Sequence, residues 1–247
     1  MTLDLRDKSV LVIGGSRGIG AAIVRRFARE GAHVAFTFAS HFEQAELAAK
    51  QARASGVKVL PIQADSAQES EIRSAVAQTV AAHGGLDILV VNAGVAAMAP
   101  VEDFDIADLD RMLSVNLRGV FIAAQAAVKH LPRGGRIITV GSCNAERMPF
   151  QGGSVYAMSK AGLVGLVKGL ARDLGPRGIT VNNVQPGPVD TDMNPAQGDF
   201  ADLLRGLTAL GRYGNGDEIA AFVAFLAGPE AGYISGASLT IDGGFTA

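Results

Sequence analysis

Cysteine occurs once in the 247 residues, as Cys143, and tryptophan is missing altogether. A single thiol cannot build an intrachain disulfide framework, and it fits a reducing compartment. Charge is equally sparing: 22 Lys and Arg stand against 24 Asp and Glu, a net charge of −2. With no Lys/Arg-rich run either, a nucleic-acid partner is not expected. No apolar run approaches the roughly 18 residues that a membrane span needs. The start, Met1 to Lys8, has no basic segment leading into an apolar one, so no secretory signal is expected. The expected location is the cytoplasm, with no membrane partner. No cluster of His, Cys, Asp and Glu has metal-ligand spacing, so no metal is expected. The four histidines, at 33, 41, 83 and 130, are scattered and read as ordinary surface residues.

What the chain does have is glycine, 31 residues of it, and an ordinary globular balance of 48% apolar and 19% charged residues. Several glycines stand where an apolar run ends, at Gly14, Gly94, Gly141 and Gly187, which suits tight turns or a ligand pressed against backbone. Short apolar runs alternate with segments of helical periodicity, the pattern of a parallel sheet covered on both faces. Strands are expected at 9–13, 33–38, 58–63, 86–91, 136–140, 179–184 and 237–241, with Pro61 making the third irregular. Helices are expected at 18–30, 43–55, 69–83, 108–131, 154–174 and 217–226. Right-handed crossovers would wind these into one doubly wound seven-stranded α/β sheet. With no linker or repeat in view, 1–247 reads as one domain. The Pro-, Gly- and Asn-containing stretch of about 190–212 reads as a mobile lid.

Between the first strand and first helix stands Ile13-Gly14-Gly15-Ser16-Arg17-Gly18-Ile19-Gly20. A glycine turn there lets backbone N–H groups and a helix N-terminus meet a pyrophosphate, although tight turns also use glycine for steric reasons alone. The spacing Gly14-x3-Gly18-x-Gly20 resembles the short-chain dehydrogenase/reductase family. Further elements are similar in order along the whole chain: Val91-Asn92-Ala93-Gly94, Asn116, Ser142, Tyr156 with Lys160, Pro186-Gly187-Pro188-Val189-Asp190-Thr191, and Ile241-Asp-Gly-Gly244. Two positions depart from the pattern. Val91 replaces an Asn, and Ile13 replaces a Thr, which costs the turn one hydroxyl.

The resemblance implies a Rossmann fold and an oxidoreductase that moves hydride between a nicotinamide cofactor and a small carbonyl or alcohol. It assigns Gly14, Ser16, Arg17, Gly18, Ile19 and Gly20 to the pyrophosphate turn, and Ser66, Asn92, Ala93 and Gly94 to the cofactor's surroundings. Asp65 would hold the adenine amino group, or simply cap a turn. Pro186, Gly187, Val189 and Thr191 would lie against the nicotinamide. Readers of the NAD ribose 2′-OH place an acid about 20 residues beyond the glycines; here that neighbourhood is Phe38-Ala39-Ser40, with no acid before Glu43. The missing acid, Arg17 as a cation and Ser40 as a donor favour NADP(H).

Tyr156 and Lys160, four apart on a helix, share a face. A phenol with a pKa near 10 is a poor acid–base group at neutral pH, and a neighbouring cation is expected to lower it. By resemblance, Tyr156 protonates the developing alkoxide, Ser142 hydrogen-bonds the same oxygen, Lys160 also binds the ribose, and Asn116 holds a water leading from Lys160 to solvent. Substrate contacts are expected from Ser142, Asn144, Met148, Tyr156 and Met193, with Met98 and Phe150 completing an apolar wall. Glu146 and Arg147 read equally as substrate contacts or surface charges. Within the family, Gly14–Gly18, Asn144–Pro149 and Val184–Pro188 resemble an enterobacterial group described as cyclic-di-GMP-binding mediators of biofilm dispersal. That leaves a regulatory cyclic-dinucleotide binder as the alternative. A homotetramer is expected from small and apolar residues on the two long helices (Ala123, Ala124, Ala127, Leu163, Val164, Val167) and from the segment 233–245.

Overall fold

The structure is a computed structural model that describes Leu3 and residues 5–247. The N-terminal stretch read for a targeting signal therefore lies partly outside the described residues. Seven strands are β1 (Ser9–Ile13), β2 (His33–Phe38), β3 (Val59–Gln63), β4 (Ile88–Val91), β5 (Arg136–Val140), β6 (Thr180–Pro186) and β7 (Ser238–Ile241). All pair in parallel, in the order β3-β2-β1-β4-β5-β6-β7. This is the doubly wound, Rossmann-type sheet that the alternation implied. Pro61 is paired in regular register with Phe36. It is tolerated because β3 is an edge strand whose outer side needs no donor.

The helices are α1 (Gly18–Arg29), α2 (Phe42–Arg53), α3 (Glu69–His83), α4 (Ile106–Leu113), α5 (Gly119–Ala127), α6 (Ser154–Leu174), α7 (Asp199–Leu207) and α8 (Gly216–Ala227). Alternation along β1 sorts the faces. Val10 and Val12 point into a core with α1, α2 and α8, while Leu11 and Ile13 point into a second core with α3, α5 and α6. Both faces being covered explains why the strands read as continuous apolar runs.

Two expectations change. The single helix over 108–131 is instead α4 and α5 joined by a π-helical turn, Ser114–Arg118. The wider turn coincides with Asn116, whose side chain is engaged outside the helix, and with Gly119, where a Cβ would stand 2.3 Å from the Ser66 carbonyl oxygen. Close approach at Gly119 and the bond from Asn116 thus replace ideal helical winding. The expected lid also contains a helix, α7, with Ala201 and Leu204 buried and Phe200 and Leu203 exposed. Pro195 and Gly198 immediately before it gave the stretch the look of a loop.

Some of the residues singled out for a subunit contact pack into the chain's own interior, while Val164 and most of the segment 233–245 are not buried. Ala123, Ala124, Ala127, Leu163, Val167 and Phe245 are buried. The large apolar side chains left exposed nearby are Phe121, Met158 and Tyr233.

Two of the histidines are not plain surface residues. His33 and His83 are partly buried, their ring centroids 5.8 Å apart. Ser9 Oγ lies 3.2 Å from His83 Nδ1, and the Lys58 backbone N–H donates to His33 Nδ1. Burial first, then repulsion from His33 and Lys58, pushes His83 down to about 4. Its ordinary value is 6.5, so as pH falls below that the unfolded chain takes up the proton first and stability drops. We expect thermal scans to show a melting temperature lower by a few °C at pH 5 than at pH 7, and His83→Gln to shrink that difference.

Candidate active site

A cavity of about 830 Å³ opens at the carboxyl ends of β1, β2, β4, β5 and β6. The strand order reverses here, between β1 and β4, which is where open α/β sheets form their crevice. At its floor the chain leaves β1 through the glycine turn. Gly14 has φ +81°, and a Cβ on it would stand 2.8 Å from the Ala93 backbone. A Cβ on Gly20 would stand 1.9 Å from the Gly14 carbonyl oxygen. Asn92 Nδ2 donates to that oxygen at 2.7 Å, tying the turn to the segment after β4. The hydroxyl missing at Ile13 comes from across the sheet, since Thr37 Oγ1 accepts from Gly14 N–H at 2.9 Å. Thr37 was not singled out in the sequence because its contact lies on another strand.

Of the residues expected at the site, all line this cavity except Gly20, Asn116 and Met148. Gly20 sits behind the turn and gives it room. Asn116 Nδ2 donates to Val95 O at 2.9 Å and to Ser159 Oγ at 3.0 Å, while Oδ1 accepts from Val95 N–H at 2.9 Å. Both amide hydrogens are spent on protein, so the side chain anchors the loop after β4. Met148 is folded under Gly153, where a Cβ would meet its Cε at 2.4 Å, and its Sδ receives Asn144 Nδ2.

At the nucleotide end, Phe38 is buried while Ala39 and Ser40 are exposed on the rim. Of the two readings the sequence allowed for Asp65, the structure shows the turn cap. The residue lines the cavity, and its Oδ1 caps the turn by accepting from Ala67 N–H at 2.9 Å. It also holds Arg111 through two bonds of 3.0 and 3.1 Å. Burial alone would raise the Asp65 carboxyl, but Arg111 and the Ala67 bond together bring it below its ordinary value. Arg111, a cation in the cavity wall, went unrecognised because its partner lies on a different element.

At the other end, Ser142, Tyr156 and Lys160 converge. Ser142 Oγ donates to Asn144 Oδ1 at 3.0 Å and accepts from Asn144 N–H at 3.1 Å, capping the short turn Cys143–Ala145. Lys160 is 4% exposed; its Nζ donates to Val140 O at 3.3 Å and lies 5.8 Å from the Tyr156 ring centroid. Burial brings the ammonium down to about 8. Burial also pushes the Tyr156 phenol up, against an opposing pull from the Ser142 hydroxyl. The net direction is upward, opposite to the lowering expected from the four-residue spacing. Burial is the largest cause, because taking the phenol out of water disfavours the charged phenolate.

The mouth is apolar, with Met98, Phe150, Met193, Phe200, Leu204 and Phe245 lining it. Leu204, Ala201, Tyr213, Cys143 and Phe245 form a small third core that fastens the lid to the Ser142 loop and to the segment after β7. Buried there, the Cys143 thiol is pushed up to about 12, too high for a nucleophile. Glu146 and Arg147 do not reach the cavity: Glu146 accepts from Gln185, and Arg147 bonds to Phe245 O with its guanidinium 5.7 Å from that ring. Arg205 bonds to Asp202 and Ala196 O and stands over Tyr213. Arg212 grips Glu218 at 3.0 and 2.7 Å.

A family model described as enoyl-(acyl carrier protein) reductase matches residues 13–246. The chain belongs to the short-chain dehydrogenase/reductase family. A solved family member from Serratia marcescens BCRC 10948 is 62% identical, with a TM-score of 0.97 over 98% of this chain and 99% of that one. A short-chain dehydrogenase from Burkholderia cenocepacia J2315, solved in complex with NADP, is 52% identical, with a TM-score of 0.97 and the same 98% and 99% coverage. The cyclic-di-GMP-binding biofilm dispersal mediator protein of Escherichia coli (strain K12) is 48% identical over 240 residues, 97% of this chain and 98% of that protein. The resemblance to that group read from the sequence therefore stands, and the chain is similar throughout to oxidoreductases.

The Thr37 contact carries its own test. Thr37→Val keeps shape but leaves Gly14 N–H without its acceptor, a loss worth about 1–3 kcal/mol. Urea unfolding of the two proteins should show a lower midpoint with an unchanged slope.

Proposed function

We propose that the chain is an NADP(H)-dependent reductase that converts an apolar ketone or aldehyde to an alcohol, or runs the reverse, with Tyr156 as general acid. The observation that carries this is the meeting of the glycine turn with Ser142, Tyr156 and Lys160 on one cavity. The residues fit the cofactor: Gly14 lies against the Ala93 backbone and Gly94 beside Lys160 Nζ, where in each case a Cβ would crowd the cavity lining, and Ser16 to Ile19 open onto the cavity from a helix N-terminus. Arg17 and Ser40 would take the 2′-phosphate, Asp65 and Ser66 the adenine, and Pro186, Gly187, Val189 and Thr191 the nicotinamide. The cofactor supplies or accepts the hydride.

The chain's part is position and proton transfer. Ser142 Oγ donates to the substrate carbonyl oxygen, exchanging its bond to Asn144. As that oxygen becomes an alkoxide, the Tyr156 hydroxyl gives up its proton to it, leaving a phenolate. The high phenol pKa keeps the group protonated and ready as an acid; Lys160, an ammonium at neutral pH, stabilises the phenolate as it forms. Met98, Phe150, Met193 and Phe200 around the mouth select an apolar substrate and shed water as the lid packs. A cyclic-dinucleotide sensor is less well served by this geometry. The two phosphates would need cations, and Arg147, Arg205 and Arg212 are committed to other partners. We place the protein in the cytoplasm as one domain and as a symmetric homotetramer, with Phe121, Met158 and Tyr233 supplying apolar contact.

Tyr156→Phe should lose at least about 100-fold in turnover while still binding NADPH in a fluorescence titration; retention of a tenth of the rate would exclude the tyrosine as acid. The same titration on the native protein should give NADPH at least about tenfold tighter than NADH, and Arg17→Ala should remove most of that preference.

A further inference from the structure

One charged group on the cavity wall, Asp192, has no task in the proposed cofactor site. Three Lys and Arg side chains line the main cavity: Lys160, Arg111 and Arg17. Lys160 is buried beside Tyr156, and Arg111 is held by Asp65 through two short bonds. Arg17 is held differently. Its guanidinium makes one contact, with Asp192 Oδ2 at 3.6 Å, and both side chains are largely open to solvent, at 43% and 67% exposure. Asp192 stands at the start of the lid, one residue after Thr191, whose Cγ2 would lie 3.2 Å from a Cβ placed on Gly18. A second groove, of about 480 Å³, runs along the outer side of the same residues, so the Arg17–Asp192 pair forms part of the partition between the two spaces.

From this we infer that Asp192 is a specificity-determining residue that sets the strength of NADP(H) selection by competing with the cofactor's 2′-phosphate for Arg17. The inference rests on the proposed cofactor reading. A 2′-phosphate and a carboxylate are both anions, and a single guanidinium that turns to grip one gives up its contact with the other. An exposed, single-contact pair is cheap to break, so the competition is a tuning effect and not a block. NADH, lacking the phosphate, leaves the pair intact and is indifferent to Asp192. The carboxylate of Asp190, two residues earlier, accepts from Ala196 N–H at 2.9 Å and makes no ion pair with Arg17.

The test is a double-mutant cycle read by NADPH and NADH titration of the full chain, using native protein, Asp192→Asn, Arg17→Ala and the double variant. Asp192→Asn should tighten NADPH by about two- to fivefold, the scale of an exposed ion pair, and leave NADH unchanged. In the Arg17→Ala background the same substitution should change neither. Equal tightening of NADPH in both backgrounds would overturn the inference in favour of plain through-space repulsion. So would parallel changes in NADPH and NADH, which would mark Asp192 as a lid-shaping residue, or no change at all. If the native protein binds neither cofactor, the proposed function itself falls; NADPH binding with zero coupling overturns only the role of Asp192.

Discussion

The crevice is closed at its floor by a short bond from Asn92 Nδ2 to the carbonyl oxygen of Gly14, made across 78 residues of chain, beside the Asn92 and Ala93 N–H bonds to Ile13 O. On one side of it the chain leaves β1 for α1; on the other it leaves β4 for the loop that Asn116 anchors. Because the two connections depart in opposite directions, the carboxyl ends of the strands are open only there. The bond requires backbone to pass within contact distance of backbone, and that requirement is what Gly14 and Gly20 satisfy. Everything that faces the cavity is placed relative to that clasp: the N-terminus of α1, Gly94 against Lys160 Nζ, and β5 with Ser142 at its end.

Chemistry at the far end depends on exclusion of water more than on any single charge. Lys160 and Tyr156 are both brought out of solvent, and both titrate toward their neutral forms as a result. An acid must hold its proton until the substrate oxygen turns basic, so a raised phenol is consistent with the acid role. In the proposed reaction the cation acts on the phenolate that remains. The third small core, in which Cys143, Leu204, Tyr213 and Phe245 meet, makes this exclusion a property of lid, catalytic loop and the segment after β7 together. No helix among the described residues is long and apolar enough to cross a membrane.

Local signals made the sheet, its helices and the glycine turn legible from the sequence. Apolar runs of strand length sit between segments of helical period, and Gly14, Gly18 and Gly20 stand at the single place where such a turn opens a helix. What could not be read depended on contacts between distant residues. Thr37 supplies the hydroxyl that Ile13 lacks, Arg111 neutralises Asp65, and Asn116 bulges its own helix to reach Val95. Met148 looked like a pocket residue by its neighbours in sequence, yet the turn at Gly153 folds it underneath. His33 and His83 looked isolated because the strand and helix that bring them together are 50 residues apart (83 − 33).

The central claim is that this cavity carries out hydride chemistry on an apolar carbonyl. It is tested most directly by following NADPH oxidation by the native protein across ketones and aldehydes graded in size and charge. The account predicts turnover that improves as the carbonyl compound becomes more apolar and fails for those bearing a charge. Tight NADPH binding with no oxidation by any carbonyl compound, or oxidation confined to charged ones, would contradict it.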